Sequence, residues 1–394
     1  MINNLIHQKS LAHNRLKNSV SSHSFTCLFI GWGEVARQYY YPSLKKLAVY
    51  PHLSINITDL KIDAEYPEHF IAWGNADLDS LLLKGQFTHI FILTPPDLHM
   101  EQLTYCLERL GKVDHTISLF VEKPSDFDPS RVKYAINFRA AMQNREKIVL
   151  RQIDHYVEKG AIRKLKERSA EVLNITGKLH EIIFFSAEKR RIPSSPTFDR
   201  GYAIEHGVHA WSILFRLFPK ILNIQISLDT NNGPSQAWRY RDATGPCSAD
   251  TAFLLRFMAR SGSGMCDELA PKTKITIAGG KALGMERKEL VLKGEYGIII
   301  ADLSHDKVVS ITGEKKTVRF KDDNTSRSLP YRAILEGILG ENPAPFDVTL
   351  PLEVGLWSLE KISKGISAVK FLKDYKAGSM PVELKHLVKL LDNL

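Results

Sequence analysis

Short apolar runs punctuate the first third of the chain at a regular spacing. Phe25-Thr26-Cys27-Leu28-Phe29-Ile30, residues 53–58, 89–93, 117–121 and 148–151 each have strand length and carry Ile, Leu, Val or Phe in half or more of their positions. The stretches between them read as helices, starting at Glu34 and returning over 98–110 and 133–144. Buried strands alternating with helices predict a parallel, doubly wound α/β sheet of the Rossmann type, ending near residue 150. Beyond it the order changes. One helix is expected over 157–170, followed by strands bunched at 182–186, 222–228, 251–257, 274–277 and 296–301. Strands grouped in this way predict an α+β domain on a largely antiparallel open sheet, with a helix over 352–372 packing back on the body of the protein. The expected organisation is a flexible tail over 1–24, a parallel-sheet domain over 25–150, and an α+β domain over 151–394. No internal repeat or low-complexity linker interrupts it.

Composition narrows the class. A chain of 394 residues suits one large or two ordinary domains. Its 53 Lys and Arg against 44 Asp and Glu leave a formal +9, but the charges are scattered. Nucleic acid is therefore not the expected partner, and an anionic small molecule is. Cys27, Cys106, Cys247 and Cys266 form no CxxC pair, which argues for a reducing compartment and against a zinc or disulfide framework. Residues 1–24 hold no acid, carry Lys9, Arg15 and Lys17, and lack the apolar core of a signal peptide. They read as the tail of a cytoplasmic protein, an organelle transit peptide being the alternative this composition allows. No stretch has the length of a membrane span.

Several motifs carry chemistry. Gly31-Trp32-Gly33-Glu34-Val35-Ala36 lies between the first strand and the first helix. Gly31 allows the tight bend, Gly33 lets backbone approach a pyrophosphate, and Ala36 is small enough for close helix packing. Asp59, closing the second strand, is placed to hydrogen-bond a ribose 2′-hydroxyl, which favours NAD over NADP, although Lys61 blurs that preference. Thr94-Pro95-Pro96 at the next strand end would wall the nicotinamide side, and His99 either faces the cofactor or helps to start the following helix. Glu122-Lys123-Pro124 closes the strand after that, and a lysine at such a strand end sits where open α/β sheets hold their ligands. In 201–211, Glu205 and His209 stand four apart, on one helical face, as a carboxylate and the general base it would orient. No further ligand cluster accompanies them, so no metal is expected. Asp154-His155-Tyr156 with Lys159 offers donors for an anion or for sugar hydroxyls. Lys189-Arg190-Arg191 could add charge for a phosphate or form a solvated loop, and Arg191 is kept as a substrate-binding candidate.

In this order the pieces resemble the Gfo/Idh/MocA family of nicotinamide-dependent dehydrogenases, over nearly the whole chain after the tail. The resemblance implies a site completed by Lys123, Glu205 and His209, with Thr94-Pro95-Pro96, His99 and Glu122 beside the cofactor. It implies homo-oligomerisation through the second domain's sheet. Three positions depart from the family pattern: Glu205 stands where Asp is usual, Ser212 where a further acid often follows the His, and less glycine precedes the acid. Asp154-His155-Tyr156 with Lys159 looks, in addition, like the substrate-binding stretch of glucose-6-phosphate dehydrogenase, which would make His155, Tyr156 and Lys159 a phosphate clamp. The expected activity is hydride transfer between NAD(P) and a secondary alcohol of a sugar, cyclitol or related metabolite. A biosynthetic imine or ketone reductase is one alternative; a non-catalytic dinucleotide-binding regulator is the other.

Overall fold

The computed structural model describes residues 25–59, 66, 68–189, 201–231, 233–242, 245–246, 250–262, 265–321, 328–340, 343–369, 372–376 and 379–394. The expected tail, Lys61, Arg190, Arg191, Arg200 and Cys247 lie outside them. The chain divides into two compact units: Met1–Glu158 with Ser326–Trp357, and Lys159–Thr325 with Ser358–Leu394.

The first unit is built on strands β1 (Thr26–Ile30), β2 (Ser54–Asp59), β3 (His69–Ala72), β4 (His89–Ile92), β5 (Ile117–Glu122) and β6 (Ile148–Ile153). All pair in parallel, in the spatial order β6-β5-β4-β1-β2-β3. This is the doubly wound order, and the chain direction across the sheet reverses between β1 and β4. The central strands are apolar because both faces are covered. Phe29, Phe91 and Phe120 stand in register on β1, β4 and β5, with centroids 5.0 Å apart at each step, and none is exposed. Burying each such ring stabilises the fold by about 2–3 kcal/mol. Tyr40, Tyr331, Ile334 and Ile338 complete that core, so the late segment returns to the early sheet. A further short strand, Leu350–Pro351, joins β6 antiparallel. There Arg151 donates to Thr349 Oγ1 at 2.8 Å and to the Thr349 carbonyl at 2.5 Å.

The second unit holds an eleven-stranded sheet. Its centre is β7 (Leu179–Ala187), paired in parallel with the strand Leu269–Gly280 and antiparallel with Arg287–Gly294. The other pairings are antiparallel except that Lys373–Lys376 runs parallel to Gln236–Asp242, so the sheet is largely antiparallel as expected. On one face Ile183, Phe185, Leu254, Ala278 and Val291 pack with Leu384 and Leu391 of the helix Val382–Asp392. On the other, Trp211 meets Phe257 edge-on at 5.2 Å.

Two helices differ from expectation. Over 157–170 the chain forms a 3-10 turn, His155–Glu158, and two helices, Gly160–Glu167 and Ser169–Thr176. The first break falls at Lys159, where the following Ala161 N–H takes Asp306 Oδ1 at 3.2 Å as a tertiary acceptor; the second falls at Arg168, whose φ of −110° and ψ of 32° leave the helix. The helix expected over 352–372 ends at Ser367, because 373–376 is drawn into the sheet. No helix of the described residues is long and apolar enough to cross a membrane. Cys27, Cys106 and Cys266 are free and buried.

Candidate functional site

In the first unit the glycine turn follows β1 directly, at the reversal of strand order. Gly31 has φ +96°, a left-handed conformation, and a Cβ there would lie 2.6 Å from Thr94 Cγ2 and 2.9 Å from Thr94 N. Its N–H donates to the Thr58 carbonyl at 2.8 Å. At Gly33, by contrast, a Cβ would meet nothing within 4 Å. Helical backbone begins at Glu34, includes Val35 and passes through a π-turn over Ala36–Tyr40; Gly33 and Glu34 are exposed and Ala36 is buried. The first-turn amides of such a helix have no acceptor within it. Trp32 is buried against Tyr41, and its backbone N–H donates to Asp59 Oδ2 at 2.6 Å. The turn and the carboxylate expected beside a ribose are thereby joined directly.

The next strand ends lie alongside. Pro95 caps and Pro96 begins the helix Pro96–Arg109, and Thr94 Oγ1 donates to Gln102 Oε1 at 2.5 Å. His99 is buried inside this corner, Nε2 2.7 Å from the Thr94 carbonyl and Nδ1 3.0 Å from the Pro124 carbonyl. Burial pushes its imidazole down to about 4, so it is neutral and donates to one of the two. His99 thus ties the Thr94-Pro95-Pro96 corner to Glu122-Lys123-Pro124, whose Lys123–Pro124 peptide is cis. Lys123 is half-buried, and its N–H donates to the Ile153 carbonyl at 3.1 Å. Burial pushes the Glu122 carboxyl up to about 8; the Lys123 ammonium opposes the rise and the Asp154 carboxylate adds to it.

Asp154 is fully buried and accepts the Tyr156 N–H at 3.0 Å, the local cap of the 3-10 turn. His155 stacks on Tyr331 with centroids 4.9 Å apart, and Tyr156 is buried to 3%. Lys159 caps the helix Gly160–Glu167 in the second unit. The stretch that reads as a clamp is built into the protein's own packing at Asp154 and Tyr156. Arg191 falls outside the described residues.

In the second unit Glu205 and His209 lie on the helix Tyr202–Leu217. The helix starts at Gly201, φ +95°, where a Cβ would stand 2.6 Å from Asp250 Oδ1. Asp250 accepts the Ala203 N–H at 2.8 Å, and burial raises its carboxyl to about 6. His209 is fully buried, and at Gly207 on the same helix a Cβ would lie 2.7 Å from Ile362 Cδ1. Ser212, one turn on, is fully buried, and its hydroxyl has no hydrogen-bond partner among the described residues.

Glu205 Oε2 pairs with Lys281 Nζ at 3.0 Å, and Glu205 Oε1 lies 3.9 Å from His206 Nε2. The same imidazole nitrogen is 3.8 Å from Glu188 Oε1, which Lys288 Nζ holds at 3.0 Å. His206 stacks on Tyr202 at 4.1 Å and meets His209 edge-on at 5.7 Å. Glu188 and Lys281 directly follow the two parallel central strands, and the Glu188 N–H donates to the Gly280 carbonyl at 2.9 Å. The sequence reading missed His206, Lys281, Glu188 and Lys288. Only His206 carried a local signal, its place beside Glu205; the other three stand 17 to 83 residues from Glu205 in the chain. The cluster sets an imidazole beside two carboxylates, each of them held by a lysine ammonium at 3.0 Å. Among the described residues no group of three or more His, Cys, Asp or Glu is arranged to hold a metal ion.

No protein-family model and no curated protein matches the chain. Solved structures do. Biliverdin reductase from Synechocystis sp. PCC 6803, in complex with biliverdin and NADP+, superposes with a TM-score of 0.62 at 13% identity, covering 89% of this chain and 100% of that one. KijD10, a 3-ketoreductase from Actinomadura kijaniata in complex with NADP and TDP-benzene, gives 0.63 at 12%, covering 91% and 100%. An oxidoreductase from Agrobacterium radiobacter in complex with NAD+, L-tartaric acid and magnesium gives 0.63 at 13%, covering 88% and 96%. The chain has the two-domain fold of these oxidoreductases, a parallel Rossmann-like sheet followed by a largely antiparallel one.

Proposed function

We propose that this chain is an NAD(P)-dependent oxidoreductase acting on the secondary alcohol or ketone of a sugar, cyclitol or related metabolite, phosphorylated or not. The observation that carries the reading is the glycine turn. Gly31 is required by its φ and by Thr94, whereas Gly33 faces open space at the start of a helix, a cradle that fits a pyrophosphate. Asp59, Trp32, Glu34, Val35, Thr94, Pro95, Pro96 and Glu122 would line the dinucleotide's side. Asp59 at the strand end favours NAD, because a 2′-phosphate would be repelled. The bound nicotinamide supplies a hydride acceptor or donor. The first unit would carry the dinucleotide, and the second the substrate and the contacts between subunits of a homo-oligomer.

The reading assigns three roles to the chain's own groups. The Lys123 ammonium stabilises negative charge on the reacting oxygen, the His209 imidazole takes or returns the hydroxyl proton, and Glu205 orients the imidazole. His155, Tyr156, Lys159 and Arg191 are the candidates for substrate contact, and the buried position of Tyr156 makes His155 and Lys159 the stronger pair. The solved ketoreductase of the same fold supports a second reading in which the residues run toward ketone reduction. The test follows reduced-cofactor absorbance against sugars, cyclitols, their phosphates and the matching ketones with each nicotinamide. Lys123→Ala and His209→Ala should abolish turnover and keep dinucleotide affinity. Tight dinucleotide binding with no turnover on any substrate would favour a regulatory protein, and no dinucleotide binding would end both readings.

A further inference from the structure

The contacts of Glu205 run to Lys281 and His206 rather than to His209. One of its oxygens is held by Lys281 at 3.0 Å, an ammonium whose side chain is only 8% exposed, and the other faces His206 Nε2 at 3.9 Å. Lys281 is itself fixed from several sides. Its N–H donates to the Thr251 carbonyl, its carbonyl accepts the Tyr375 hydroxyl at 2.6 Å, and its ammonium stands 5.3 Å over the Tyr202 ring. The next residue, Ala282, is held at φ +54°, a left-handed conformation that a non-glycine residue adopts at a cost. Strain and burial are here accepted at the position that delivers a lysine to Glu205.

We propose that Lys281 and His206 are positioning residues of the second unit's polar cluster: Lys281 clamps Glu205 so that its other oxygen faces His206, and the Glu205 carboxylate favours the charged form of that imidazole. This rests on the reading of Glu205 as the acid of the site. Among the described residues, the charged and titratable groups on the elements around His206 enter the balance, Lys189, Asp250 and Arg287 with those that follow. Tyr202, Glu205 and His209 stand on its own helix, Glu188 follows β7, Lys281 follows Leu269–Gly280, and Lys288 and Glu286 lie at the start of Arg287–Gly294. With two carboxylates within 4 Å and their two lysine partners one contact further out, the imidazole's charge depends on how completely the lysines hold the acids.

The test is a histidine-selective NMR titration of the full chain, with His206 and His209 assigned by His206→Asn and His209→Asn. Glu205→Gln should lower the His206 pKa by about one unit, and Lys281→Met should raise it by about half a unit or more. Lys281→Arg, which keeps the charge, should leave it within about 0.3 unit. If Lys281→Met fails to fold, Glu205→Gln and Lys281→Arg decide alone. A His206 pKa unmoved by Glu205→Gln, or a shift confined to His209, overturns the proposal. The titration needs neither substrate nor dinucleotide, so a failure of the oxidoreductase reading shows up separately, as absent turnover with the His206 shifts intact. Where turnover exists, the Lys281→Met pH profile should move in the same direction as the His206 pKa.

Discussion

The two units hold their polar groups in place by different means. Around the glycine turn of the first, backbone makes most of the connections: Gly31 N–H to Thr58, Leu93 N–H to Ile30, Lys123 N–H to Ile153, and a neutral His99 between two carbonyls. Around Glu205 in the second, charged side chains do it: Glu188 with Lys288, Glu205 with Lys281, and His206 beside both acids. A backbone frame is set by chain geometry and is indifferent to salt, whereas a side-chain network follows protonation and ionic strength. The two frames should therefore answer differently to a change of backbone and to a change of charge.

The sharpest way to break this contrast is to put a methyl group into the backbone frame. Gly31→Ala meets both a left-handed φ and Thr94 at 2.6 Å, and should cost about 2–4 kcal/mol in urea unfolding. A loss below the error of the measurement would show that the turn yields easily. Protonation comes next. Glu122 has a folded-state pKa raised to about 8, so it keeps its proton where the unfolded chain has lost it. Its contribution is full below the ordinary glutamate value and is lost as pH rises to about 8, with a slope of at most about 1.4 kcal/mol per pH unit. Glu122→Gln should flatten that limb in a series of melts between those limits; an unchanged slope would place the titration elsewhere.

The charge network should respond more weakly. Glu188→Gln takes from Lys288 the carboxylate at 3.0 Å and should cost about 1 kcal/mol at low salt and less in 0.5 M salt, about the upper end for a partly screened pair. Equal costs at both ionic strengths would count against the division drawn between the units. The smallest stability effect is expected at Gly33. Gly33→Ala adds a methyl group to open space and should change unfolding free energy by no more than about 0.5 kcal/mol. It should still weaken dinucleotide binding about tenfold in a calorimetric titration; unaltered affinity would mean that the turn does not receive the pyrophosphate.

The first unit was legible because its strands are buried on both faces. Phe25 to Ile30, 89–93 and 117–121 stand out as apolar runs, and the glycine turn falls between strand and helix as its spacing demands. Its exceptions are the short strands His69–Ala72 and Leu350–Pro351 at the two edges of the sheet, which are too short to show a period. In the second unit the strands Gln236–Asp242, Arg287–Gly294 and Lys315–Lys321 went unread, because lysines, arginines and acids fill much of each one. Their strand character comes from partners: Arg287–Gly294 pairs residue by residue with β7 over most of its length.

The order of apolar runs determined by itself the doubly wound sheet, and the positions of Gly31, Gly33, Asp59, Lys123, Glu205 and His209 were visible as spacing. Those signals are local, carried by burial on both faces, by turn chemistry or by one helical turn. Only the tertiary structure decided that His99 faces inward to two carbonyls, that 326–357 belongs with the first unit, and that Glu205 pairs with Lys281 beside His206. Contacts of that kind join residues far apart in the chain. No period or spacing encodes them, because they exist only once the strands that deliver the side chains have paired.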